Sequence, residues 1–324
     1  MRVVQVRRTG APDVMRVEEA AEPRPGPGEV LVAVERAGVL YGDVLLRSGA
    51  YPRPLPYVPG LEVGGRVVAL GPRVDPALLG TRVVATTVGS AGGYAERAVA
   101  RAADVYPVPA GLALDHAVAV FQAGAVAVGL LSAMRVAAGE SVLVTAAAGR
   151  IGSLLVQLAR AAGAEPVVGA AGGPAKTAAA RELGAHAAVD YDRQDWPEQV
   201  RKATGGRGAA VVLDAVGGTI GAQALEAAAD AGGRVGIYGF TSGTWTALDT
   251  MTLARRGLTV TGPLGITFAK PAAQQRADAE QALAAAAAGR LVPRIHAVRP
   301  LEEAAGAHAE LAARHSVGAL LLAP

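Results

Sequence analysis

The residues best suited to chemistry form a turn of small side chains, Ala146-Ala147-Ala148-Gly149-Arg150-Ile151-Gly152, directly after the apolar run Val142–Thr145. The turn is a variant of the Gly-x-Gly-x-x-Gly pattern. Small residues let the backbone approach a pyrophosphate, and a helix that begins there offers unpaired N–H groups and partial positive charge. One such pattern is weak evidence, but a position between a buried strand and an apolar helix strengthens it. The segment predicts a dinucleotide site, and an ordinary βα turn is the alternative.

The residues after the next apolar run indicate which dinucleotide binds. An NAD site usually places Asp or Glu about 20 residues beyond the glycines, where it accepts a hydrogen bond from the ribose 2′-hydroxyl. The corresponding window, 169–173, contains no acidic residue, whereas Lys176 follows it and Tyr191-Asp192-Arg193 ends the next apolar run. A site that has basic residues and lacks that carboxylate favours a cofactor with a 2′-phosphate. The sequence therefore predicts NADP(H), and the alternative for Lys176 is a solvated helix charge.

The absence of cysteine limits the remaining chemistry. It excludes disulfides, thiolate nucleophiles and zinc sites with cysteine ligands. The five histidines form no close pair, so we predict no metal site and expect them at the surface: His116, His186, His296, His308 and His315. A dinucleotide without metal or thiol leaves hydride transfer as the natural reaction.

Composition and charge bound the choice of partners. The net charge of the 324-residue chain is +3 and its basic residues are scattered, which argues against a nucleic-acid partner. The uncharged stretch Ala117–Met134 contains Gln122, Ser132 and several small residues, so it predicts a buried helix rather than a membrane span. The N-terminus lacks the apolar core of a signal peptide. We expect a soluble, cytoplasmic protein with a small-molecule substrate and no membrane partner.

The chain has two regions with different sequence patterns, and their elements must position these residues. Residues 1 to about 115 contain short valine-rich runs between Gly and Pro, which predict a mostly β domain. Beyond residue 117 apolar strands and helices alternate about every 25 residues, which is typical of a doubly wound parallel sheet covered on both faces. The fold class is therefore α/β. The last 60 residues fit a return to the first domain.

The ordered motifs also resemble one family. The match is to the zinc-independent quinone oxidoreductase (ζ-crystallin-like) branch of the medium-chain dehydrogenase/reductase superfamily. It rests on segments spread over the chain: Gly49-Ala50-Tyr51-Pro52, Pro56-Tyr57-Val58-Pro59-Gly60, Gly92-Gly93-Tyr94-Ala95-Glu96, Thr204–Gly208, Val211–Gly218 and Pro300–Ala304.

The resemblance implies a domain organisation and an oligomer. A GroES-like, mostly β catalytic domain would comprise residues 1–120 and 265–324, and a Rossmann NADP-binding domain would comprise 121–264, with NADPH in the cleft between them. The family also suggests a homodimer joined through edge strands of the Rossmann domains. In this chain the edge candidate is the region Thr246–Thr261.

The resemblance assigns cofactor contacts residue by residue. Ala148 to Ile151 would hold the pyrophosphate, and Lys176 and Tyr191 would reach the 2′-phosphate. Further cofactor residues assigned in this way are Val126, Gly169, Val216, Gly239, Phe240, Thr241, Leu264, Gly265 and Ile266. Two departures remove polar contacts found in the family, because Gly173 replaces a serine and Ala319 replaces a lysine.

The family comparison also bears on the reacting end. Leu61 stands where zinc-dependent members have histidine, and Leu40 stands where they have a cysteine ligand, so the resemblance implies no catalytic zinc. Leu40, Leu45 and Val126 replace an asparagine, a tyrosine and a threonine, and Leu40 and Leu45 are assigned to an apolar substrate pocket.

The resemblance leaves a short set of candidate catalytic groups. Tyr51 and Tyr57 are the first candidates for hydrogen-bond and proton donation, with Tyr41 as a local alternative and Asp43 as a positioning group. The other interpretation of Tyr57 is a core side chain.

Three functional hypotheses follow from the sequence. The leading one is an NADPH-dependent reductase of quinones or α,β-unsaturated carbonyls. The second is a tailoring enzyme of secondary metabolism with a bulky apolar substrate, including a cyclisation-type reaction. The third is a non-catalytic dinucleotide- or RNA-binding protein, against which the mild charge argues.

Overall fold

A computed structural model describes the whole chain, Met1–Pro324, as two compact units. The first comprises Met1–Gln122 with Leu283–Pro324, and the second comprises Ala123–Ala282. The sequence predicted the second division at 264/265, whereas the contacts of the chain place it at 282/283. The reason is that the segment after residue 264, most of a long helix included, packs with the second unit.

The regular elements alternate much as the texture of the sequence predicts. In chain order they are β1 (Arg2–Val6), β2 (Met15–Glu19), β3 (Glu29–Val39), α1 (Tyr41–Ser48), β4 (Glu62–Leu70), β5 (Arg82–Thr87), β6 (Arg97–Pro107), α2 (Leu114–Ala133), β7 (Val142–Val144), α3 (Arg150–Ala161), β8 (Val167–Ala171), α4 (Pro174–Glu182), β9 (Ala187–Asp190), α5 (Trp196–Ala203), β10 (Val211–Asp214), α6 (Gly218–Glu226), β11 (Arg234–Ile237), α7 (Thr250–Arg256), β12 (Thr259–Thr261), α8 (Pro263–Phe268), α9 (Ala272–Ala287), β13 (Ile295–Pro300), α10 (Ala304–Ala312) and β14 (Ala319–Ala323). Short 3₁₀ turns occupy Pro12–Val14, Pro76–Leu78, Val88–Ser90 and Leu301–Glu303.

The first unit is built on a six-stranded, mainly antiparallel sheet in the order β13-β14-β3-β4-β5-β6. Strand β3 also pairs with β6, which closes part of the sheet on itself and leaves β6 without an open edge there. Valines dominate the enclosed core, as expected for pleated, half-buried surfaces. The C-terminal strands β13 and β14 belong to this sheet, so the predicted return of the chain to its first domain is observed.

The second unit is a six-stranded parallel sheet in the order β12-β11-β10-β7-β8-β9. This is the 3-2-1-4-5-6 order of doubly wound sheets, in which ligands bind outside the carboxyl ends of the strands where the order reverses. The α/β fold with a GroES-like unit and a Rossmann-type sheet is therefore confirmed. The switch point lies between β7 and β10, directly beside the small-residue turn.

Helix α2 is long and apolar enough to cross a membrane by length and composition alone. Yet 61% of its most apolar 18-residue window is buried inside the protein, which is usual for the core helix of a soluble protein. Phe121 and Leu130, for example, are almost completely buried. This agrees with the sequence prediction of a buried helix over Ala117–Met134.

Three helices were not predicted: α1, α7 and α8. Each has six to eight residues, too short for a helical hydrophobic period to stand out. Local signals exist, since Asp249 caps α7 through the N–H groups of Met251 and Thr252, and Gly49 ends α1 in the left-handed conformation.

Candidate functional site

The turn between β7 and α3 is held close to the sheet by backbone contacts. Ala147 N–H donates to Ala170 O on the neighbouring strand, and Gly149 N–H donates to Ala146 O. A Cβ on Gly152 would lie 2.2 Å from Ala146 O and 3.0 Å from Ala147 Cα, so only glycine lets α3 begin this close to the turn. Gly149 is the N-cap and supplies no side-chain cap to the helix. The first turn of α3 thus has the features of an anion site, which fits a dinucleotide pyrophosphate.

Most residues assigned to the cofactor lie at the carboxyl edge of the parallel sheet. They follow β7 (Ala148 to Ile151), β8 (Lys176), β9 (Tyr191), β10 (Val216), β11 (Gly239 to Thr241) and β12 (Leu264 to Ile266). Because parallel strands end at one edge, the fold brings these segments to one side of the unit. The loops after β10 and β11 touch, since Thr241 N–H donates to Ala215 O and Ser242 N–H donates to Val216 O.

Two of the assigned cofactor residues lie elsewhere. Gly169 is inside β8 rather than after it, and a Cβ there would lie 3.0 Å from the Ala147 side chain and 3.1 Å from that of Ala180. It therefore serves strand–helix packing in this structure. Val126 lies on α2 and is 9% exposed.

A buried aspartate that sequence reasoning did not single out organises the loops after β10 and β11. Asp214 is 1% exposed. Its carboxylate accepts hydrogen bonds from the Thr145 hydroxyl at 2.7 Å, the N–H groups of Val216 and Gly217, and the Thr246 hydroxyl at 3.1 Å. The signal in the sequence was an acidic residue that ends an otherwise apolar run, Val211-Val212-Leu213-Asp214. Its four donors fix the end of β7, the start of α6 and residue 246 together.

The loop after β11 also presents an aromatic pair. The rings of Phe240 and Trp245 lie 4.3 Å apart between centroids, and Trp245 is 53% exposed. With so few aromatics in the chain, this pair is a distinctive apolar surface beside the assigned cofactor segment Gly239 to Thr241. It also provides a fluorescent group at that edge of the sheet.

In the first unit, helix α1 carries three of the residues assigned to the reacting end. Tyr41 and Leu45 are half-buried, whereas Asp43 is 3% exposed. The Asp43 carboxylate accepts hydrogen bonds from Leu40 N–H at 3.2 Å and Gly60 N–H at 3.3 Å. It thereby caps the start of α1 and ties that helix to the segment before β4. These contacts give Asp43 a structural role at the start of α1, while its assignment as a positioning group for the reaction stays a prediction.

Asp43 belongs to a buried chain of polar groups whose other members were missed. The Tyr94 hydroxyl lies 3.4 Å from Asp43 Oδ2 and 3.0 Å from His308 Nε2, and both residues are fully buried. Burial raises the pKa of Asp43 to about 6, against the opposing effect of its two N–H donors. Burial lowers the pKa of His308 to about 3, and the Arg47 guanidinium acts in the same direction. At neutral pH, His308 is thus an uncharged imidazole that is hydrogen-bonded to the Tyr94 hydroxyl.

The burial of His308 corrects the prediction that all five histidines lie at the surface. His116, His186 and His315 are exposed, and His296 is half-buried against Glu310 at 2.6 Å. His308 is different because it lies on the inner face of the alanine-rich helix α10, where small neighbours let Tyr94 reach it. No signal in the sequence distinguished it. The chain contains no group of three or more His, Asp or Glu side chains with a metal-binding arrangement.

The two tyrosines on the proline-rich loop have different environments. Tyr51 is 45% exposed, whereas Tyr57 is 8% exposed and belongs to the core of the first unit. The backbone of Tyr57 pairs with Val6 in both directions, and the Arg53 guanidinium lies 5.3 Å from its ring centre. Its hydroxyl has no hydrogen-bond partner, and burial raises its pKa. These contacts favour the core interpretation of Tyr57, while its catalytic assignment stays a prediction.

The chain combines a Rossmann-type parallel sheet, whose small-residue turn lacks a side-chain cap, with a GroES-like unit whose sheet is partly closed. This combination is typical of a class of dinucleotide-dependent oxidoreductases. Two family models match the corresponding parts of the chain. One describes the alcohol dehydrogenase GroES-like domain and matches residues 26–110; the other describes the zinc-binding dehydrogenases and matches residues 151–288.

Individual relatives extend this likeness to the full length. The chain is 33% identical to a quinone oxidoreductase of Pseudomonas aeruginosa over 99% of both chains. It is 32% identical to a 2-haloacrylate reductase of a Burkholderia species over 98% of both. Its structure matches that of an Escherichia coli quinone oxidoreductase complexed with NADPH, with a TM-score of 0.91, 28% identity and full coverage of both. The chain belongs to the quinone oxidoreductase branch of the medium-chain dehydrogenase/reductase superfamily, and it is an oxidoreductase.

Proposed function

We propose that this oxidoreductase binds NADPH and reduces a quinone or an α,β-unsaturated carbonyl without zinc. The observation that carries the proposal is the gathering of the assigned cofactor segments at the carboxyl edge of the parallel sheet, beside the uncapped start of α3. The NADPH complex of the Escherichia coli relative supports the choice of cofactor. The reductase activities named for the two relatives support the substrate class.

The chain's own residues divide the work as follows. The N–H groups at the start of α3 would bind the pyrophosphate, and Lys176 would attract the 2′-phosphate. The loops after β10 and β11, fixed by Asp214, would orient the nicotinamide end. When bound, the reduced nicotinamide supplies a hydride. Every other requirement of the reaction falls on donors and proton sources of the protein or solvent.

In a reduction without zinc, hydrogen-bond donors stabilise the negative charge that develops on the substrate. Hydride addition leaves an enolate or a hydroquinone anion, which takes up one proton to complete a two-electron reduction. The residue types agree with a zinc-free site, because Leu61 replaces the histidine ligand and the chain contains no cysteine. Among the tyrosines assigned to this role, Tyr51 and Tyr41 have accessible surface, whereas the Tyr57 hydroxyl is buried in the core.

Exchange of single tyrosines tests the proton source. We expect Tyr51→Phe to lower kcat about 10- to 100-fold, in line with the loss of a positioned proton donor. Tyr57→Phe should leave kcat within about twofold, because its hydroxyl makes no hydrogen bond. The measurement is steady-state oxidation of NADPH with a simple quinone, and Tyr41→Phe serves as the parallel variant. Unchanged turnover in Tyr51→Phe and Tyr41→Phe would assign the proton to water or to a cofactor hydroxyl.

A bulky apolar substrate is the second candidate, favoured by one observation. Leu40 and Leu45 lie at the N-cap and on the first turns of α1, where both remain partly accessible. Leucines at these positions make that part of the first unit apolar. A panel from simple quinones to large polycyclic enones distinguishes the two, since rapid NADPH oxidation with small quinones would count against the bulky substrate.

We also propose a cytoplasmic homodimer formed through the edge of the parallel sheet. Strand β12 pairs on one side only, with β11. Three large side chains in the preceding segment are about half exposed: Trp245 (53%), Leu248 (44%) and Met251 (57%). An open edge beside apolar side chains is suited to pairing with a second copy.

Sedimentation tests the dimer. The chain should sediment at twice its own mass, and Met251→Glu should shift the equilibrium towards the monomer by about tenfold or more, because a charge would be buried in the interface. Val292→Glu, at a similarly exposed apolar residue (50%) outside that edge, is the matched control. A monomeric wild-type chain would contradict the proposal.

A further inference from the structure

A carboxylate stands at the end of strand β8, where the sequence window contains none. The Asp192 carboxylate oxygens lie 3.0 and 3.3 Å from the position that a Cβ would take on Gly172, the first residue after β8. Gly172 is itself twenty residues beyond Gly152 in the turn. In dinucleotide-binding sheets this is the place of the acidic residue that receives the ribose 2′-hydroxyl. Here the acid comes from the end of the third strand, β9, instead of the second.

Backbone hydrogen bonds hold residue 192 beside the end of β8. Strands β8 and β9 pair up to Ala171 and Asp190, so their ends lie side by side. The Asp190 carboxylate accepts hydrogen bonds from Gly173 N–H at 2.8 Å and from Asp192 N–H at 3.0 Å. One acceptor therefore joins the two loops. Gly172 permits the close approach, because a side chain there would meet both Asp192 and the Tyr191 ring.

The charges around this point oppose a 2′-phosphate. The acidic residues are Asp190, Asp192 and Asp195, and the basic ones are Lys176 and Arg193. The Arg193 guanidinium is bound to Asp195 at 3.1 Å, so these two charges offset each other and leave Asp190 and Asp192 against Lys176. A 2′-phosphate carries nearly two negative charges at neutral pH. A 2′-hydroxyl carries none and donates a hydrogen bond, which a carboxylate accepts.

We propose that Asp192 is a specificity-determining residue that allows this enzyme to use NADH alongside NADPH. The inference rests on the proposed function, since it concerns the same cofactor site. Lys176 attracts the 2′-phosphate while Asp192 repels it, so the preference between the two nucleotides is small. The sequence prediction of NADP(H) weighed the cation on α4 and did not foresee the acid that the fold brings beside it.

Direct binding of the two nucleotides tests this role without catalysis. We expect calorimetric titration of the full-length protein to give Kd values for NADPH and NADH within about tenfold of each other. Asp192→Asn should move the ratio towards NADPH by about tenfold, the order expected when one charge is removed near a phosphate at the surface. Glu198→Gln removes one exposed negative charge from the nearby helix α5 and should leave the ratio unchanged.

Two fragments locate the effect. 2′,5′-ADP and 5′-AMP contain only the adenosine end of the cofactors, so Asp192→Asn should shift their relative affinities in the same direction. A wild-type preference for NADPH above about a hundredfold, or a ratio that Asp192→Asn does not move, would overturn the inference and leave the proposed function intact. If neither NADPH nor NADH binds, the proposed function fails together with it.

Discussion

Gly152→Ala is expected to disrupt the start of α3 and to abolish tight nucleotide binding. The new Cβ would lie 2.2 Å from Ala146 O and 2.9 Å from Ala146 C. These are backbone atoms of the turn, so a side-chain rotation cannot relieve the clash and the helix must move away from β7. We expect a loss of about 2–4 kcal/mol in the free energy of unfolding. Displacing the N–H groups of the first turn should weaken NADPH binding at least about a hundredfold.

A second glycine-to-alanine change in a helix provides the control. Gly306 lies in α10, and a Cβ added there would have no neighbouring atom within 4 Å. Gly306→Ala should therefore stabilise the protein by about 0.5–1 kcal/mol through helix propensity. Urea unfolding and NADPH titration of both variants make the comparison. Wild-type affinity and stability in Gly152→Ala would show that the turn tolerates a wider separation from the helix.

Asp43→Asn is expected to make the protein markedly more sensitive to acid. The pKa of Asp43 is raised to about 6 in the folded chain, so its contribution to stability is full below pH 3.8 and is lost as pH rises through 6. The pKa of His308 is lowered to about 3, so its contribution is full above pH 6.5 and is lost as pH falls. Between about pH 4 and 6 the two contributions to the free energy of unfolding change with pH in opposite directions. The wild-type chain gains a proton at Asp43 on folding and forgoes one at His308.

Replacing either Asp43 or His308 should reveal how the other residue alone makes stability depend on pH. In Asp43→Asn only His308 remains, and the folding equilibrium constant should fall about tenfold per pH unit, relative to wild type, between pH 6 and 4. In His308→Gln only Asp43 remains, and the folding equilibrium constant should instead rise, relative to wild type, as pH falls from 6 to 4. The other charged groups named in these shifts, Glu62 near Asp43 and Arg47 near His308, are unchanged in both variants. Urea unfolding at several pH values measures the free energy of unfolding of each protein. The same pH dependence in wild type and both variants would refute the opposing contributions of Asp43 and His308.

Much of the fold follows from local patterns. Continuous apolar runs identified the parallel strands because both faces of that sheet are covered. The small-residue turn was identified because its spacing answers one physical requirement, the close approach of a helix to a strand. These features depend on residues near each other in the chain.

The missed parts of the site depend on residues far apart in the chain. Tyr94 and His308 meet across 214 positions. His308 is buried because the alanine-rich helix α10, which has no polar pattern, packs against α1, β13 and β14. Asp192 reaches the end of β8 from a different strand, which a count along the sequence does not anticipate. Helix α1 was overlooked because eight residues give too little periodicity, although Gly49 marks its end. The residue roles at the reacting end remain predictions.

The anchoring of α1 has a consequence for how this enzyme can be modified. Asp43 fixes the start of the helix through Leu40 N–H and Gly60 N–H, and neither bond involves the side chains at positions 40, 41 or 45. Those three side chains can therefore vary while the scaffold is conserved. For directed evolution of new substrates, a combinatorial library at these positions should retain a high fraction of folded members, provided that residue 43 is left constant.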